Sequence, residues 1–140
     1  MALGLRRDAK AKLISGVPLF AGLSKRELAQ VSAIADELDF GSGKTLIREG
    51  DAGREFFILL EGSADVTRKG KMLATHGPGA FFGEVALMCD TPRVATVTTT
   101  SPSRALVITD RDFRALVKSS PGIALKVLEE VGRRLPSDDA

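Results

Sequence analysis

The chain has 140 residues, 44% of them hydrophobic and 27% charged, with a formal net charge of +2. That is the size and balance of one globular domain able to bury a core, and the charge is too small to argue for DNA or an anionic membrane. A single cysteine, Cys89, excludes an intrachain disulfide and fits a reducing compartment, while a single histidine, His76, excludes any His-pair metal site.

His76 and Cys89 show no zinc-like spacing and read as a loop histidine and a half-buried thiol. The opening MALGLRRDAKAKLISG has no signal-peptide pattern, and no apolar run approaches a membrane span. The expectation is a cytoplasmic chain with no metal, no cofactor and no catalytic cluster.

In chain order, residues 1–16 form a polar lead-in with helical character, broken at Gly16-Val17-Pro18. Ser24-Lys25-Arg26-Glu27 has the form of a capping box, in which the serine oxygen caps an early N–H and Glu27 reaches back. Leu28, Val31, Ile34, Ala35 and Leu38 recur at helical spacing, so a helix is predicted over 24–37.

From Leu38 to Asp110 short apolar runs alternate with glycine turns. Strands are predicted at 45–48, 56–60, 64–69, 71–75, 94–100 and 104–109. Many short strands at this rhythm form a sandwich or barrel, and a jelly roll protects their edges. Asp110 opens a helix with Phe113, Leu116 and Val117 on one face. Ser120-Pro121 starts another as N-cap and first-turn proline. Ile123, Leu125, Val127, Leu128, Val131 and Leu135 follow on it, before Pro136 and an acidic tail.

Two glycine motifs are decoys. Gly43-Lys44-Thr45 resembles the end of a P-loop, but position 38 is Leu where that loop needs glycine, and the residues that follow read as strand. Gly77-Pro78-Gly79-Ala80-Phe81-Phe82-Gly83 is one residue too long for a dinucleotide fingerprint and lacks its helix–strand unit.

The informative stretch runs from Phe81 to Val97. Gly83 lets the backbone approach a neighbour closely. Glu84–Leu87 suffice for one helical turn, whose first N–H groups have no internal partner and form a small anion site. Arg93 has the planar fork that suits a phosphate, Pro92 stiffens its approach, and small Ala95 permits close contact. The residues alone leave two readings: an anion site, or a Glu84–Arg93 ion pair that pins a loop.

The stretch Phe82-Gly83-Glu84-Val85-Ala86-Leu87, a short spacer, then Pro92-Arg93-Val94-Ala95-Thr96-Val97 closely resembles the phosphate-binding cassette of the cyclic-nucleotide-binding domain family. Pro18–Ser24, Ile47–Gly53 and Phe57–Gly62 resemble that family's entry segment and glycine-marked turns. The resemblance covers roughly residues 17–135, with 1–16 as a lead-in and 136–140 as a tail.

It implies a mainly β fold with flanking helices: an eight-stranded jelly-roll-like barrel, one N-terminal helix and two C-terminal helices. It further implies a non-enzymatic sensor or regulatory module whose ligand is cAMP or, as the alternative, cGMP. A degenerate barrel serving as a protein-interaction module is the other alternative.

In that family Glu84 would accept from the ribose 2′-hydroxyl and Arg93 would pair with the cyclic phosphate. N–H groups near Ala86 and Val94-Ala95 would point at the phosphate, and Gly83 would leave room for the ribose. Val66 and Leu73 would pack on the base. Relatives selective for cGMP often carry Thr or Ser after the arginine; here Val94 cannot accept from a guanine amine, which favours cAMP. Some relatives support the arginine with an acid where this chain has Arg54, leaving Glu55 or Glu49 as substitutes. The last helix, 123–135, would act as a lid through Arg133, Arg134 or Leu135. No recognition helix or basic stripe suggests direct DNA binding by this chain, so the output would come from a protein partner or a further domain.

Overall fold

The structure is a computed structural model that describes residues 10–84, 89 and 91–134. A short helix over 10–15 (α1) leads through a 3-10 turn, Pro18–Phe20, into α2 (Lys25–Ile34). Eight strands follow: β1 (Asp36–Phe40), β2 (Thr45–Ile47), β3 (Glu55–Glu61), β4 (Ala64–Arg68), β5 (Lys71–His76), β6 (Phe81–Phe82), β7 (Thr96–Thr99) and β8 (Ser103–Thr109). Two helices close the described chain, α3 (Asp110–Ser119) and α4 (Pro121–Arg134).

The strands form two four-stranded antiparallel sheets, ordered β1-β8-β3-β6 and β2-β7-β4-β5. Strands far apart in sequence thus become neighbours, the double-sheet solution to the edge problem that a jelly roll provides. The expected mainly β barrel with flanking helices is the observed fold.

The continuous apolar run of β3 has a structural cause. Phe56 and Ile58 face the helices, where they join Phe20, Val31, Phe113, Ile123 and Val127 in one core. Phe57 and Leu59 face the barrel interior with Ile47, Phe82, Val97 and Val107. A strand covered on both faces needs apolar residues at successive positions instead of alternation. β8 does the same, with Leu106 and Ile108 outward and Val107 inward. Phe56 stacks on Phe113 at 4.4 Å between ring centroids, which seats α3 on the sheet.

Ser24 caps α2 as expected: Glu27 N–H donates to its Oγ at 3.1 Å and its own N–H donates to Glu27 Oε1 at 3.1 Å. The predicted extent of 24–37 is corrected, because α2 stops at Ile34 and Ala35 is already extended. The next five residues are β1, an edge strand whose Asp and Glu side chains face solvent, as edge strands tolerate. The reason is nonlocal: Arg104 on β8 lies within 3.6 Å of Glu37 and Glu61 and 3.0 Å of Asp39. β6 was likewise not among the predicted strands; its two residues qualify only because β3 lies alongside. His76 ends β5 instead of lying in a loop, and Cys89 is exposed instead of half-buried.

Candidate functional site

β6 delivers the chain into the site. Phe82 is paired with Phe57 and buried in the barrel core, with the His76 ring edge-on to it at 5.5 Å. Gly83 then turns with φ +99°, a region that side-chain-bearing residues rarely adopt. A Cβ there would lie 2.6 Å from Arg93 Nη1 and 2.8 Å from the Glu55 carbonyl oxygen. The glycine therefore makes room for the guanidinium. Glu84 follows in helical conformation and is only 2% exposed.

Arg93 is 7% exposed and fixed from every side. Its Nη1 donates to the Gly83 carbonyl at 3.1 Å and its Nη2 to the Glu55 carbonyl at 2.6 Å. Its main-chain N–H donates to Asp51 O at 2.8 Å, and its carbonyl accepts from Gly50 N–H at 2.8 Å. Pro92 bridges to Ala52. The 48–52 loop thus grips the backbone while β3 and Gly83 hold the head group.

Burial lowers the Arg93 pKa below its ordinary value, opposed by the charges of Glu55 and Glu84. An arginine stays charged through such a shift, so the site carries a desolvated cation beside a buried carboxylate. The two carbonyls and the charges of Glu55 and Glu84 offset part of the cost of burying that cation.

Of the two acids suggested as supports, Glu55 acts through its carbonyl and its charge. Glu49 is engaged elsewhere: its Oε1 accepts from Lys69 N–H at 2.9 Å and its own N–H donates to Thr96 Oγ1 at 3.0 Å. Arg54 is exposed and its carbonyl accepts from Asp110 N–H.

Val94 is 40% exposed, and Ala95 half-buried beside it leads into β7. Val66 is half-buried against the barrel core, while Leu73 is 56% exposed at the bulge where β5 departs from register with β4. Val85, Ala86, Leu87 and Leu135 lie outside the described residues. Phe82, Gly83, Glu84, Arg93, Val94 and Ala95 are brought to one end of the barrel.

Sequence reasoning missed Arg68, whose Nε donates to the Val94 carbonyl at 2.9 Å. No local signal marks it: the β4–β7 pairing, with Thr67 opposite Thr96, places Arg68 beside the end of the cassette.

The last helix is seated on the N-terminal segment. Ile123 and Val127 are buried against it, Lys126 Nζ donates to the Pro18 and Ala21 carbonyls, and Ser120 Oγ donates to Glu27 Oε2 at 2.9 Å. Glu27 has its pKa lowered by the bonds from Ser24 N–H and Ser120, then from the Ser24 hydroxyl. Arg133 pairs along its own helix with Glu130 at 3.1 Å and Glu129 at 3.9 Å. Arg134 closes α4.

The family model described as cyclic nucleotide-binding domain matches residues 37–120. A cAMP-dependent protein kinase regulatory subunit of Mycosarcoma maydis is 36% identical over 127 residues, covering 84% of this chain and 24% of that protein. A cyclic nucleotide-gated potassium channel of Mesorhizobium japonicum is 35% identical over 113 residues, covering 81% of this chain and 31% of the channel. Among solved structures, PKAR CBD2 bound to Sp-2Cl-cAMPS is 25% identical with a TM-score of 0.81, covering 94% of this chain and 90% of that one. The chain therefore spans between 24% and 31% of the two full-length relatives. Among the described residues no helix is long and apolar enough to cross a membrane.

Proposed function

The chain belongs to the cyclic nucleotide-binding domain family, and from that premise we propose that it binds cAMP at the Gly83–Ala95 site as a non-catalytic sensor. The observation that carries the reading is Arg93: a buried guanidinium beside buried Glu84, with two of its five N–H groups donated to carbonyls. Among the described residues its other N–H groups donate to no carbonyl, and they suit a singly charged phosphodiester, which needs one such cation and a few main-chain amides but no metal. Glu84 would read the free ribose 2′-hydroxyl, and Val66 and Leu73 would supply an apolar wall for the base.

Preference for adenine over guanine rests on Val94. A guanine 2-amino group set against its side chain would lose a hydrogen bond, at a cost of about 1–3 kcal/mol if fully covered. Its 40% exposure places the effect toward the lower end.

Ligand would be signalled through α4, by its differential affinity for two positions of that helix. Arg133, Arg134 and Leu135 are the lid candidates. The output would come from a protein partner or from a further domain of a longer protein, working in the reducing cytoplasm.

Titration calorimetry with cAMP, cGMP and AMP tests the reading. Saturable heat with cAMP is expected, and Arg93→Ala should weaken it by about 2–5 kcal/mol, because a buried phosphate loses its charge partner. No heat with any cyclic nucleotide, and a protein that instead captures only a protein partner, would refute it. Conversion of cAMP to AMP during incubation would refute the non-catalytic part.

A further inference from the structure

We propose that the groove between α1 and the end of β3 is a docking site for a partner protein. It takes an amphipathic segment with leucine-like side chains on one face and lysine or arginine beside them. This inference stands apart from the nucleotide site and does not depend on the identity of the nucleotide.

The groove has a volume of about 750 Å³. Leu13 and Val17 line it from the N-terminal segment, Leu60 from β3, and Pro78 from the turn before β6. Leu13 is 36% exposed and Pro78 is exposed beside it, so the groove presents apolar surface to water. None of these residues belongs to the Gly83–Ala95 site.

The walls are fixed before anything enters. Gly79 N–H donates to the Leu59 carbonyl at 2.7 Å and Leu59 N–H to the Ala80 carbonyl at 2.8 Å, which ties the Pro78-Gly79 turn to β3. Pro18 packs on that turn: a Cβ on Gly79 would lie 3.2 Å from its Cδ. The Pro18 carbonyl accepts from Lys126 Nζ of α4 at 3.2 Å. A groove shaped in advance needs little ordering when a segment binds.

Charge decides what kind of segment fits. Glu61 lines the groove where β3 ends. Its Oε1 lies 3.6 Å from Arg104 Nη1, and the same guanidinium lies 3.6 Å from Glu37 and 3.0 Å from Asp39. Three carboxylates therefore share one guanidinium, and all three stay open to solvent. On a chain of net charge +2, this gives an apolar groove an acidic end. Lys12, the cation among the lining residues, is exposed on α1 and can keep its ammonium in water. Apolar side chains seated in the groove, with cations laid against Glu61 and its neighbours, match both features.

Fluorescence anisotropy on the full chain tests this with a labelled peptide of roughly fifteen residues, about four helical turns. Its leucines are spaced three and four apart and its other positions are lysine. A second peptide keeps the leucines and carries glutamate for each lysine. The lysine peptide should bind saturably, about tenfold more tightly than the glutamate peptide, and the preference should shrink with salt. Glu61→Lys should reduce that preference. Leu13→Gln should weaken the lysine peptide about tenfold, the loss of one leucine contact. Leu128→Gln, at a side chain 61% exposed on α4, is the control and should leave binding unchanged. No binding, equal affinity for the two peptides, or equal losses from Leu13→Gln and Leu128→Gln would overturn the proposal. So would sedimentation in which wild type self-associates and Leu13→Gln does not, which would assign the groove to a second copy of the chain.

Discussion

Replacing Gly83 by alanine introduces a methyl carbon 2.6 Å from Arg93 Nη1 and 2.8 Å from the Glu55 carbonyl oxygen. The carbonyl belongs to the backbone of β3, which its pairing with β8 holds in place, so the guanidinium is the group that must give. Two costs add. Holding a side-chain-bearing residue at φ +99° costs about 1–2 kcal/mol. Displacing the guanidinium loses at least one charge-assisted bond to a carbonyl, a further loss of about 1.5–3 kcal/mol. The expected destabilisation is about 2.5–5 kcal/mol, large for one methyl group. Gly70→Ala is the control: its φ is +79° and a Cβ there meets nothing within 4 Å, so it carries the strain alone. Urea unfolding of wild type and both variants measures the difference, with unchanged slopes confirming comparable unfolded states. Gly83→Ala should exceed Gly70→Ala by the lost contacts and should also lose cAMP affinity. Equal destabilisation of the two variants would refute the packing argument for this turn.

Val94→Thr places an acceptor hydroxyl after the arginine and should narrow any preference for cAMP over cGMP; competition binding that shows a wider gap would refute the selectivity argument. Glu27→Gln tests the tie between α2 and α4. The folded-state pKa of Glu27 lies below 4.5, so its contribution is full above that value and is lost as pH falls through the lowered one. Wild type should therefore lose stability more steeply than Glu27→Gln in acid unfolding below pH 4.5, and parallel curves would contradict the bonds from Ser24 and Ser120.

The barrel could be read from local signals because each signal was self-contained, whereas the cassette was legible through its likeness to the family, the residues alone leaving open an ion pair that pins a loop. Glycine turns delimit β3, β4 and β5, and the capping box at Ser24 is a four-residue motif. Gly83, Glu84 and Arg93 stood out through residue type and spacing, and the fold brings them together. What escaped was set by pairing across the chain. β1 reads as a polar helix end until Arg104, 65 residues on from Asp39, gathers its carboxylates. β6 is too short to carry any periodicity of its own. Arg68 carries an ordinary surface sequence, and only the register of β4 against β7 turns it toward Val94. Glu49 looked like a candidate partner for Arg93 by proximity in sequence, yet the hairpin amide of Lys69 takes its carboxylate. Side-chain direction at such loops depends on which turn lies opposite, and no local pattern encodes that.

The most direct check on phosphate recognition is a crystal structure of the full chain grown with saturating cAMP. The account predicts the cyclic phosphate against the Arg93 guanidinium and the Ala95 amide, with the ribose 2′-hydroxyl on Glu84. Nucleotide density elsewhere on the barrel, or an Arg93 still bonded only to Gly83 and Glu55 with no phosphate before it, would contradict it.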